Sequence, residues 1–131
     1  MYLPACGSLL VVGIILNFLD ARMLALTLIV GLNIFLPVPA ESQFQFYLFC
    51  ILYETVVALV AYLTRCEAGF LLMNTCALLV IAHLMGYALD GSAPLSPYHV
   101  IVKLLETLEL GICIAFSPVL TPILRNQDAP E

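Results

Sequence analysis

Five apolar runs, at residues 3–19, 23–36, 44–64, 70–89 and 98–117, follow one another along the chain with only short polar breaks between them. A helix rises 1.5 Å per residue, so about 20 apolar residues cross a hydrocarbon core about 30 Å thick. The runs at 44–64 and 70–89 meet that length, 3–19 just reaches it, and 23–36 is short. The pattern predicts an all-α integral membrane protein, a bundle of five or four transmembrane helices. Four is the alternative because Asp20-Ala21-Arg22 contains neither Gly nor Pro, so 3–36 reads either as two spans or as one long helix.

Composition agrees. The 131 residues are 63% hydrophobic and 10% charged, against roughly 25% charged in soluble domains, and the mean hydropathy is +1.11. The apolar runs leave no room for a soluble domain, so 1–131 reads as one transmembrane domain with a polar tail over 125–131. The first residues carry no Lys or Arg and lead straight into further apolar sequence, which predicts a retained first span rather than a cleaved signal.

The breaks have recognisable chemistry. Pro37-Val38-Pro39 removes backbone donors and ends the second run, and Ala40 to Gln43 follows as a polar loop. Arg65-Cys66-Glu67-Ala68-Gly69 is a tight connection that makes the flanking spans antiparallel neighbours. Asp90 to Pro97 carries the signals of an exposed loop, with Ser96-Pro97 as N-cap and first-turn proline. Phe44, Phe46, Tyr47, Phe49 and Tyr53 form an aromatic belt at the start of the third span. Arg22, Arg65 and Arg125 fall on one side of a five-span topology, while the opposite loops hold Glu41 and Asp90. The positive-inside rule then places the N-terminus outside and the C-terminus in the cytoplasm.

The membrane segments nevertheless carry ionisable groups, each costing about 2.5 to 3.5 kcal/mol if it faces lipid at mid-bilayer. On the last span His99, Lys103, Glu106, Leu110, Cys113 and Ser117 fall on one helical face with Glu109 beside it. Glu54 lies near the middle of the third span, at a depth similar to Glu106 and Glu109, with His83 and Lys103 in the outer half. These five residues are expected to form either a polar network that fixes helix packing or an ion path. A path needs water at the carboxylates, whereas a network needs each carboxylate capped by donors. Asn17, Asn33 and Asn74 are expected to make helix-helix hydrogen bonds.

Other classes are excluded. Four Lys and Arg cannot track nucleic-acid phosphates. Cys6, Cys50, Cys66, Cys76 and Cys113 form no C-x-x-C pair, and no second His stands at ligand spacing from His83, so no metal, cofactor or redox site is expected and the cysteines read as small contact residues. No catalytic motif is present, which argues against an enzyme. The expected partners are the lipid bilayer and other membrane subunits or further copies of the chain. The leading expectation is a non-catalytic integral subunit of a larger membrane assembly, including a phage or virion envelope protein. The alternatives are a proton- or cation-conducting component using Glu54, Glu106 and Glu109, and a holin-like pore former.

Overall fold

The computed structural model describes residues 2–90 and 96–123. The chain folds into five α-helices: α1 (Tyr2–Asn17), α2 (Ala21–Phe35), α3 (Gln43–Thr64), α4 (Glu67–Leu89) and α5 (Ser96–Ala115). A short helical turn begins at residue 120, and there is no strand among the described residues. The predicted loop at 91–95, the side-chain cap at Ser96 and the tail at 125–131 lie outside the described residues.

Side-chain caps set the helix boundaries. The stretch 3–36 is two helices, divided at Asp20, whose carboxylate accepts from the backbone N–H of Arg22 at 3.1 Å and of Met23 at 3.3 Å. Ser42 caps α3 in the same way, accepting from Gln45 N at 3.2 Å. At the other end of α3, Arg65 takes the left-handed conformation at φ 50°, the only non-glycine residue with positive φ among the described residues. That reversal drops the chain straight into α4, where a Cβ on Gly69 would meet Ala61 O at 2.5 Å, so only glycine fits so close to the α3 backbone.

Cross-helix hydrogen bonds fix the direction of each helix. Asn33 meets Glu54, and Arg22 reaches Thr64 O at 3.4 Å, so α2 and α3 are antiparallel. Every helix packs on its successor, and α5 closes the ring against α1 while also touching α2. With five alternating helices, the neighbours α1 and α5 run the same way. Leu26, Val30, Val57, Leu72 and Leu110 fill the interior. The outside is apolar too, with Leu19 92%, Phe18 69% and Phe70 68% exposed.

Two helices are long and apolar enough to cross a membrane: α3 with 22 residues and α4 with 23. The apolar helices α1 and α2 are shorter, at 16 and 15 residues. α5 has 20 residues but carries Lys103, Glu106 and Glu109.

Candidate functional site

Three helices converge on the middle of the bundle and bring Glu54 (α3), Cys76 (α4) and Glu109 (α5) together. One carboxylate oxygen of each glutamate and the Cys76 sulfur lie within 4.8 Å of one another. All three side chains are buried, Glu54 at 2%, Cys76 at 1% and Glu109 at 0% exposure. Asn33 Nδ2 donates to Glu54 Oε1 at 2.7 Å, and the Cys76 thiol donates to Glu109 Oε1 at 3.4 Å. The other oxygens, Glu54 Oε2 and Glu109 Oε2, are buried with no hydrogen-bond partner. Two carboxylates thus share a buried interior with one amide and one thiol between them, an arrangement that is costly unless a cation or proton joins it.

A cleft of about 220 Å³ leads toward this cluster and is lined by Tyr2, Asn33, Glu54, His83, Lys103 and Glu106, among others. Leu36 and Val38 also line it, which places it at the end of the bundle that holds the α2–α3 connection. Around it, Tyr2 Oη donates to Glu106 Oε2, and the Lys103 ammonium sits 5.5 Å from the Tyr2 ring centroid. His83 is buried and its Nδ1 is 2.8 Å from Tyr98 Oη.

Below the cluster the polar line continues. Asn17, buried, donates through Nδ2 to Thr27 Oγ1 at 3.1 Å, Cys113 O at 2.9 Å and Gly13 O at 2.9 Å, tying α1 to α2 and α5. Thr27 spends its own hydrogen on Met23 O at 2.7 Å, so its oxygen is free to accept. Ser117 is also fully buried. Polar groups therefore run from the cleft, through Glu54 and Glu109, to the far end of α1.

The structure divides the residues predicted from sequence. Glu54 and Glu109 meet, Glu106 is half-buried on the cleft wall, and His83 faces the cleft. Lys103 and His99 are exposed at its rim, because the inner face of α5 runs through Tyr98, Val102, Glu106, Glu109 and Cys113, one position off the stripe that carries them. Among the described residues, Lys103 has no carboxylate at ion-pair distance. Asn17 and Asn33 bond across helices, whereas Asn74 is exposed on the outer face of α4. Cys76 and Tyr2 were not singled out from the sequence. Cys76 lies seven residues before His83, two turns along the same face of α4, and that spacing was the available signal. No family model, curated protein or solved structure matches the chain.

Proposed function

We propose that the chain is a membrane-embedded bundle that moves small cations along its carboxylate core. The observation that carries this reading is the uncapped pair, Glu54 Oε2 and Glu109 Oε2, both buried, with Glu54 itself lining the cleft. A network built only for packing caps its carboxylates with donors. Here one oxygen of each glutamate has none. The apolar exterior suits lipid, and α3 and α4, at about 33 to 35 Å long, match the hydrocarbon thickness. With Arg22 and Arg65 at the far end, the positive-inside rule turns the cleft to the outside.

The test is reconstitution in vesicles with a pH-sensitive dye in one arm and a metal-sensitive dye in the other. Glu54→Gln keeps the size and the Asn33 contact but removes the charge. Cation flux in wild type that is lost in a normally folded Glu54→Gln supports the reading. Equal flux in both proteins, or none in either, overturns it.

One observation favours assembly as well. Asn74 lies exposed on α4 among Phe70, Leu78 and Ile81, which are all exposed. An amide facing lipid lacks partners, whereas a second helix supplies them, at about 0.6 to 2 kcal/mol per bond. The bundle then also acts as a subunit that docks through α4, against another copy or another membrane protein. Disulfide cross-linking of Asn74→Cys in a background without native cysteines tests for a second copy.

A further inference from the structure

The geometry points to Glu54, Cys76 and Glu109 as the ligands of one divalent cation of the zinc class, held in the middle of the bundle. This inference rests on the cation-conducting reading and names its ion.

The ligand set selects the class. Mg²⁺ and Ca²⁺ take six or more oxygens, and a sulfur in the ring of ligands disfavours them. Zn²⁺ and Co²⁺ bind carboxylate and thiolate together, four-coordinate. Three protein ligands with one position left for water is the arrangement of an exchangeable site rather than a closed structural one. The cleft reaches Glu54 and supplies that water.

The distances fit. A tetrahedron with bonds of about 2.0 to 2.3 Å has edges of about 3.3 to 3.8 Å. Cys76 Sγ and Glu109 Oε1 are already 3.4 Å apart, and all three ligand atoms lie within 4.8 Å. Closing the remainder takes about 1 Å of movement, within reach of rotation about the glutamate side-chain bonds. The second, independent observation is the pair of orphaned oxygens, Glu54 Oε2 and Glu109 Oε2, on side chains that are 2% and 0% exposed and that reach the cluster from α3 and α5. On binding, the Cys76 thiol proton, now donated to Glu109, leaves to water as the metal–sulfur bond forms. No electron is transferred.

The experiment uses the full chain in detergent micelles, titrated with Co²⁺ and then Zn²⁺. A thiolate-to-cobalt charge-transfer band, saturating at one Co²⁺ per chain and displaced by Zn²⁺ but not by Mg²⁺, is the expected result. The band should vanish in Cys76→Ser and persist when Cys6, Cys50, Cys66 and Cys113 are replaced instead. Glu109→Gln should weaken binding about a hundredfold or more, since even the outer partners of metal ligands are worth roughly 10- to 100-fold. Absence of the band in wild type, or its survival in Cys76→Ser, overturns the inference. The wild-type and four-cysteine measurements decide it even if Cys76→Ser fails to fold. If the band is absent while vesicles show proton flux dependent on Glu54, the carboxylates share a proton and conduction stands without the metal. If the band follows Cys76 but no flux occurs, the metal site stands and conduction falls.

Discussion

Asn33 Nδ2 and Glu54 Oε1 are joined at 2.7 Å across the α2–α3 interface, and among the described residues this is the one hydrogen bond that reaches the Glu54 carboxylate from an amide. Asn33→Leu removes it and leaves a buried carboxylate without its amide donor. The expected cost is about 1 to 3 kcal/mol, read as a lower midpoint in denaturant titration of the protein in micelles. A midpoint equal to wild type would mean that another donor reaches Glu54.

Removing one of the two core carboxylates should help an ion-free protein and hurt a loaded one. In chelator-washed micelles, Glu109→Leu removes one of two carboxyl groups buried together and should raise the unfolding midpoint. Added Zn²⁺ should reverse the order, because only wild type gains about RT ln(1 + [Zn²⁺]/Kd). Thermal unfolding of both proteins with and without Zn²⁺ checks the crossover, and parallel shifts in the two would contradict it.

Gly69→Ala should be far more damaging than its size suggests. The added methyl meets the Ala61 carbonyl oxygen at 2.5 Å, and backbone cannot swing aside as a side chain can. An overpacking cost of about 1 to 3 kcal/mol is expected, together with a looser α3–α4 hairpin. Hydrogen exchange at the last turn of α3 reports it directly.

Arg65→Gly should act in the opposite direction. Arg65 sits at φ 50°, where glycine is free of the Cβ penalty. A gain of about 1 kcal/mol in unfolding free energy is expected, measured in micelles so that the lost charge does not enter through membrane orientation.

The orientation itself is testable. Glu41→Cys in a background without native cysteines should be labelled by an impermeant maleimide from outside, and Glu67→Cys should not. Labelling of both positions from one side would remove the alternating topology.

The apolar runs made all five helices legible, and Pro37 and Arg65 marked two of the connections. The first turn was ambiguous because its signal is a cap: Asp20 stops one helix and starts another without Gly or Pro. Glu54 and Glu109 were legible as costly residues at similar depth. Cys76 was not, because ligand spacing along a chain says nothing of three helices converging, and a lone cysteine at helical spacing reads as packing. Lys103 shows the converse limit. A seven-residue stripe assigns it to the face that holds Leu110 and Cys113, but that stripe drifts off the true helical face toward the start of α5, where Tyr98, Val102 and Glu106 are the half-buried positions and Lys103 is left beside the Tyr2 ring at the rim.

The closure of the ring by α5 also sets an order of biosynthesis. Asn33 precedes Glu54, so when α3 leaves the ribosome its carboxyl group finds a donor already waiting on α2. Glu109 arrives last, and only then do Cys76 and Asn17 acquire their α5 partners. A ribosome paused after α4 therefore holds four helices with an open seam between α1 and α4, and the Glu54–Cys76–Glu109 cluster is completed only in the final step of synthesis.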